Sequence, residues 1–396
     1  MGGNFSGSQP TNGSLSIAPT ATGTVSYSLS CAGAGGTTAA GSASVTVGPS
    51  ILSELKSITV LGSTLDAGAP GSAQGGNPYG LSIAPATSGL ITAGDLIVCN
   101  FNDASGVQGA GTTIVGLHPS AGATAYHIAQ SSALQGCNAL AMLPDDSIAV
   151  AAYQANMFPL VSSAGTVNNP FASDPFASPW GAAFVPATAS TPAALYLTNV
   201  GSGVGTASID RIELSGDTPT SFTEIAKGFC GSGMPGAIYA PAGLTYDASI
   251  DTLYVVDTSS YSVVAFSNVS KIGSDGIVVN GGCGGKTPTP ALTFSGPSNG
   301  SARVIASGGQ FNAPISAALL ADGDLIVGNG DIDGPTTPNL AFEISPSLGF
   351  VGQPIQLDTS GTGGALFGIA ATTDASGNQV IYFNDDNTSK VNSLTQ

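Results

Sequence analysis

The sequence predicts an all-β chain: a six-bladed β-propeller preceded by an N-terminal partial β-sandwich segment. Three observations carry this reading. A small residue opening an apolar strand recurs at Gly80, Ala139, Gly181, Gly243, Ser316 and Gly368. The mean step is about 58 residues, room for four short strands with loops. A second apolar strand follows each, usually with a polar stop, at 95–100, 147–152, 194–199, 252–257, 324–329 and 379–384. Finally, the sixth repeat ends without a fourth strand, while a lone strand at 55–61 precedes the first repeat. Donating one to the other closes the ring and removes the edges that a linear array would expose. Seven blades result only if residues 1–50 contribute one.

Taken in order, residues 1–50 differ from the rest. Residues 14–31 alternate apolar and polar side chains over much of their length, 32–36 form a Gly-rich turn, and 43–47 read as a strand. Tyr27, Leu29 and Cys31 share one strand face. This resembles the C-terminal half of a bacterial immunoglobulin-like domain, although the Tyr stands four residues before the Cys rather than two. Half a sandwich leaves edges uncovered. The segment is therefore read as a truncation remnant, as a piece packed on the main domain, or as a strand pair that completes a neighbouring molecule by self-association.

Residues 51–396 form the propeller domain, closed by the strand at 55–61. Third strands are expected at 113–117, 209–214, 262–266, 340–344 and 390–394, and weaker fourth strands at 125–129, 222–225, 276–279 and 354–357. The repeats resemble NHL and YVTN propellers, in which an apolar strand ends in Asp or Asn before a short turn; residues 251–257 match best. They also resemble secreted bacterial propellers of unassigned function. Their blades read N-P-x-G-L, as at 77–81, then G-D-L-x-V-x-N, as at 94–100; residues 365–370 and 382–387 fit their last blade.

Composition excludes several classes of function. Charged residues are 8% of the chain while 42% is apolar, with seven Lys and Arg against 24 Asp and Glu. Nucleic acid needs a basic track, and anionic membrane a basic patch; neither exists here. No uninterrupted apolar run reaches the ~18 residues of a membrane span. Few carboxylates imply a weak dependence of stability on pH. Met1–Asn4 carries no signal-peptide features. The composition nonetheless suits an extracellular or cell-surface protein, which implies that the true N-terminus lies upstream.

Candidate chemistry is sparse. The cysteines lack any two-residue spacing. Cys99 with Cys137, and Cys230 with Cys283, form natural pairs, either as disulfides or as free thiols, and Cys31 is left over. The strand-ending column Asn100, Asn199, Asp257, Asn329 and Asn384, broken at Ala152, suits turn capping better than a ligand ring. Two acidic clusters break the repeat: residues 329–334, where Asp331 and Asp333 alternate oxygen ligands with other residues, and residues 384–387, with Asp385 beside Asp386. They make Ca²⁺ the one cofactor that the pattern admits, though the bidentate Glu of an EF-hand is missing. Gluconolactonase-type propellers hold a divalent cation with a Glu, two Asn and an Asp. Glu54, Glu213, Glu224 and Glu343 match no such motif, and Glu213 and Glu343 fall on third strands. His118 and His127, the only histidines, share one blade and read as ordinary residues. Residues 281–287 fail the phosphate-loop spacing and read as a connector. Tyr79 and Trp180 share one inner-strand column; they either line a carbohydrate-stacking mouth or pack at blade junctions.

The expected function is therefore a secreted or cell-surface, non-catalytic binding or scaffold module with a protein or carbohydrate ligand. A divalent-cation-dependent lactonase or lyase is the alternative. An extracellular fibre subunit assembled by strand exchange through residues 1–50 is another.

Overall fold

The computed structural model describes residues 23–39, 41–171, 175–234, 237–285, 290–330, 338–358 and 363–396. Six antiparallel sheets surround one axis, and each inner strand packs on the next until the sixth meets the first. Blade one comprises Gly76–Ile83, Leu96–Asn102, Thr113–Leu117 and Tyr126–Gln130. Blade two is Cys137–Met142, Ile148–Ala152, Leu160–Val161 and Val167–Asn168. Blade three is Pro179–Val185, Ala193–Asn199, Val204–Ser215 and Thr218–Cys230. Blade four is Pro241–Asp247, Thr252–Asp257, Ser262–Ser267 and Ala302–Ser307. Blade five is Pro314–Leu319, Leu325–Asn329, Asn339–Ser345 and Ile355–Asp358, with Phe350–Val351 also on its third strand. Blade six is Ile369–Thr373, Gln379–Asp385, Lys390–Thr395 and, from the start of the chain, Ser57–Ser63.

The closing strand pairs antiparallel with the last one, from Lys390↔Ser63 to Thr395↔Ser57. It sits two residues later than the expected 55–61 because a helical turn, Ile51–Glu54, precedes it. Ser50 caps that turn through Ser53 N–H, and the Glu343 carboxylate accepts the N–H groups of Ile51 (3.1 Å) and Leu52 (2.6 Å). Leu55 is thus a core plug rather than a strand residue. With Leu52 it is buried among Ile326, Leu357 and Leu394.

Each blade faces its neighbour across an apolar layer, and a polar staple crosses every junction in the same direction around the ring. Ser82 Oγ donates to Leu140 O (2.8 Å), Asn138 Nδ2 to Trp180 O (3.0 Å) and Thr198 Oγ1 to Ala242 O (3.1 Å). Thr258 Oγ1 donates to Pro314 O (2.7 Å), Ser316 Oγ to Leu366 O (3.2 Å) and Asn384 Nδ2 to Tyr79 O (3.2 Å). The acceptors belong to inner strands or their approaches, which leave part of the ladder at β-bulges. The staples satisfy carbonyls that would otherwise be buried without partners. Close approach of the inner strands also explains the small-residue column. A Cβ on Gly181 would lie 1.9 Å from Ala242 O, and one on Gly368 would lie 2.4 Å from Tyr79 O.

Both cysteine pairs are disulfides. Cys99–Cys137 joins the second strand of blade one to the inner strand of blade two, and Cys230–Cys283 ties the end of blade three to a later connector. With 38 and 53 residues between the partners, loop-closure entropy makes each worth on the order of 4 kcal/mol. Cys31 is exposed and unbonded.

The fourth strand of blade four departs from expectation. Residues 276–279 do not supply it; Ala302–Ser307 does. Ile277–Asn280 instead pairs in parallel with the outer strand of blade three (Ala226↔Ile277, Lys227↔Val278). Ile277 and Val279 alternate into the core beside Ile225 and Phe229, and the Cys230–Cys283 bond fixes the return of the chain.

The described part of the N-terminal segment is a two-stranded ribbon, Gly23–Leu29 with Gly41–Val47, forming its own sheet. Hydroxyl pairs Thr24–Thr46 (3.1 Å) and Ser26–Ser44 (2.8 Å) line one face; Val25, Tyr27 and Leu29 share the other. The ribbon adds no blade, so the ring has six rather than seven. The alternation expected at 14–22 lies outside the described residues.

Candidate functional site

The inner strands enclose an axial cavity of about 410 Å³. Each inner strand is the edge of its sheet and pairs with the second strand alone, so backbone N–H and C=O groups face the axis beside the side chains. The residue just before the small-residue column closes one end. There Tyr79 and Trp180 are 2% and 4% exposed, and Ile315 and Ala242 are buried beside them. Tyr79 stacks between Phe101 (4.2 Å, 5°) and Phe367 (3.7 Å, 8°), while Trp180 stands edge-on to Tyr79, Phe101 and Tyr153. This aromatic plug uses the ring quadrupoles in offset and T-shaped contacts.

The other end is open. The position three residues after each small residue is occupied by Ile83, Met142, Phe184, Tyr246, Leu319 and Ala371, and all six are half-buried and line the cavity. One apolar side chain per blade thus forms a collar. Below it lie Ser82, Thr245 and Ser316 among small and aliphatic groups. Among the described residues, no Asp, Glu, His, Lys, Arg or Cys lines the cavity.

The sequence-nominated residues fall elsewhere, Tyr79 and Trp180 excepted. The Asx column is structural in a different manner from simple turn capping. Among the described residues, Asp257 is the member that caps its own turn, accepting Ser259 N–H (3.1 Å) and Ser260 Oγ–H (2.5 Å). Asn199 and Asn329 instead accept from Ala177 and Asn312, in the segments entering their own inner strands (both 3.0 Å). Asn384 reaches into blade one, and Asn100 binds Thr64 O (2.9 Å) in the chain that leaves the closing strand. The end of a second strand is surrounded by incoming backbone from other segments, so its carboxamide meets those groups first.

Asp331 and Asp333 lie outside the described residues. Asp385 ends the second strand of blade six and Asp386 opens the turn after it. None of the four Glu candidates lines the cavity. Glu343 anchors the helical turn, and Arg211 Nη2 pairs with Glu213 at 3.4 Å. Asp322, Asp324 and Glu343 bring their oxygens within 4.8 Å of one another, but Glu343 already serves two N–H groups and Asp322 accepts Asp324 N–H.

The histidines are more organised than ordinary surface residues. His118 Nδ1 lies 2.5 Å from Asp95, which also accepts Tyr126 Oη–H (2.6 Å) and Thr92 N–H (2.9 Å). His127 Nδ1 lies 2.6 Å from Asp66, itself holding Gly68 N–H (2.9 Å). Both carboxylates are buried while the imidazoles reach solvent. The pairs sit on blade one, away from the cavity lining.

Burial acts in one direction on the described acids. Desolvation pushes Asp257 up to about 6 against its Ser259 and Ser260 hydrogen bonds, and burial also raises Asp146, Asp324, Glu343 and Asp385. Asp103 and Asp374, held low by backbone N–H groups, go the other way at the surface. The Asp257 pKa is raised on folding. Between about pH 4 and 6 the folded state therefore binds more protons than the unfolded chain. Its penalty is absent below this window, grows as pH rises through it and is constant above. The expectation of weak pH dependence is thus refined: stability should increase when the pH falls from 7 to about 5. Asp257→Asn should remove a share on the order of 2 kcal/mol of this slope. Calorimetric melting in chelator-containing buffer across that range checks it, and parallel wild-type and variant profiles would refute it.

The half-exposed collar was missed because the aromatic column is conspicuous in the sequence and the collar is chemically mixed. Counting three residues onward from each small residue would have found it.

No protein-family model matches the chain, and no curated protein matches it. Solved structures do. A catalytically inactive His-to-Ala variant of virginiamycin B lyase from Staphylococcus aureus, crystallised with quinupristin, is 13% identical. That alignment covers 87% of this chain and all of the lyase chain, with a TM-score of 0.50. A gluconolactonase from Xanthomonas campestris is 14% identical over 82% of this chain and 87% of its own, with a TM-score of 0.51. At this identity the likeness establishes the propeller fold alone.

Proposed function

We propose that the chain is a non-catalytic binding propeller that works outside the cytosol and takes a neutral, apolar-faced protein or carbohydrate group at its axial mouth. One observation carries this reading: among the described residues, the cavity mouth is ringed by apolar side chains and no carboxylate, imidazole or basic group lines it. Acid–base, nucleophilic and cation-assisted chemistry each need such a group at the reacting atoms. The two disulfides support an oxidising compartment. Both solved enzymes share the ring, and nothing at this chain's axis favours their reactions.

Trp180, the single tryptophan, lies in the cavity wall and supplies the test. Titration with glycans and extracellular proteins should shift its emission for a true ligand. Phe184→Asp or Met142→Asp in the collar should weaken that ligand about tenfold or more. Divalent-cation-dependent turnover of lactones by the purified protein, unaffected by ligand, would replace this reading with the enzymatic one.

A further inference from the structure

We infer that the seam between blade six and blade one binds a Ca²⁺-class divalent cation through Asp385, Asp386 and Asn77. Asp385 is the last residue of its strand, Asp386–Thr388 form a short turn, and that turn packs against the inner strand of blade one, where Asn77 lies. Asn77 N–H donates to Ser389 Oγ at 3.3 Å, which holds the start of the blade-one strand against the turn that carries Asp386. Segments of two blades carrying these three residues thus meet where the ring closes.

Two oxygens at this seam are buried with no hydrogen-bond partner: Asp385 Oδ1 and Asn77 Oδ1. Asp385 is only 8% exposed, and its other oxygen accepts Thr388 Oγ1–H at 2.7 Å. An orphaned carboxylate oxygen in a desolvated site costs free energy unless a cation or a proton meets it. A third carboxylate, Asp358, is near enough for its charge to act on Asp385; its Oδ2 accepts Asn387 Nδ2 (2.7 Å) and Asn339 Nδ2 (2.9 Å). Among the described residues the ion pairs are those of His118, His127, Arg211 and Lys227, and none reaches Asp385 or Asp386. Lys390 stands opposite Asp385 in the strand register but forms no ion pair with it.

The donors are carboxylate and carboxamide oxygens, which suit a hard cation that accepts a flexible shell completed by backbone oxygens and water. The acidic trio Asp322, Asp324 and Glu343 differs, because both Glu343 oxygens there are occupied. A cation at the seam would bind the folded ring and not the open chain, so it would stabilise closure by mass action.

The test uses the full chain, stripped with chelator and titrated with CaCl₂ alone by calorimetry and thermal melting. The wild type should bind one ion at this seam and melt at higher temperature with Ca²⁺. Asp386→Asn, which keeps the shape of this half-buried side chain and removes its acidity, should melt at least as high as wild type in chelator. It should bind at least about tenfold more weakly and lose the Ca²⁺-dependent gain. Asp331→Asn with Asp333→Asn should retain both. The inference is overturned by no heat and no melting shift at about 10 mM Ca²⁺, by undiminished binding in Asp385→Asn with Asp386→Asn, or by loss of all binding in the Asp331/Asp333 variant.

Discussion

A chain starting at Thr64, without the closing strand, is expected to lose cooperative unfolding altogether. Ser57–Ser63 supplies the fourth strand of blade six along a register of six pairs. Leu61 is buried beside Leu81, Val98 and Val391, and Leu52 and Leu55 fill the layer between blades five and six. Three buried leucines at ~2 kcal/mol each, with several ladder hydrogen bonds at ~1 kcal/mol, amount to about 10 kcal/mol. That equals the whole stability of a typical domain. The truncation also strands the Glu343 carboxylate without the Ile51 and Leu52 N–H groups. Circular dichroism melting with size-exclusion chromatography reads the result. A chain starting at Gly48, which lacks residues 1–47 and with them the ribbon that forms its own sheet, should melt like the full protein. A sharp, near-native transition in the shorter chain would show that closure is dispensable.

Gly181→Ala should be the most damaging single-methyl change on the axis. Its Cβ would sit 1.9 Å from Ala242 O and 3.0 Å from Thr198 Oγ1. Gly181 N–H donates to that hydroxyl (2.7 Å), which in turn donates to Ala242 O (3.1 Å). Blades three and four would have to separate and break their staple, and neither side is a flexible side-chain end. Overpacking of this kind costs about 3 kcal/mol or more. Gly243→Ala, 2.6 Å from Ile315 O, should cost less. Urea unfolding ranks the variants, and a Gly181→Ala protein within about 1 kcal/mol of wild type would refute the close-approach explanation.

Much of the architecture could be read from residue order. Small residues at Gly80, Gly181, Gly243 and Gly368 recur because every inner strand must pass its neighbour closely, so the constraint repeats with the blade. The leftover strand before blade one and the missing one after Lys390–Thr395 declared their pairing, since an unpaired edge is costly anywhere in a ring. The cysteine pairs were visible because Cys99 and Cys137 lie on successive repeats and Cys230 and Cys283 lie in Gly-rich connectors on either side of one.

Elsewhere local pattern was silent. Residues 276–279 have the composition of any fourth strand, and apolar strands are interchangeable until a partner is chosen. The parallel pairing with Ala226 and Lys227 follows from the Cys230–Cys283 bond and the core around Phe229. Asp95 and Asp66 gave no hint that they hold His118 and His127, because these contacts span 23 and 61 residues.

Alternation and spacing, which act between near neighbours, were enough to specify six sheets, their order and the closure. Which end of the axis is plugged by Tyr79 and Trp180, and which is left open within the apolar collar, required all six inner strands in place. The two columns lie on the same inner strands, with register shifts at the plug column. Their exposure differs only because aromatic rings contributed by several blades meet at one end of the bore and not at the other.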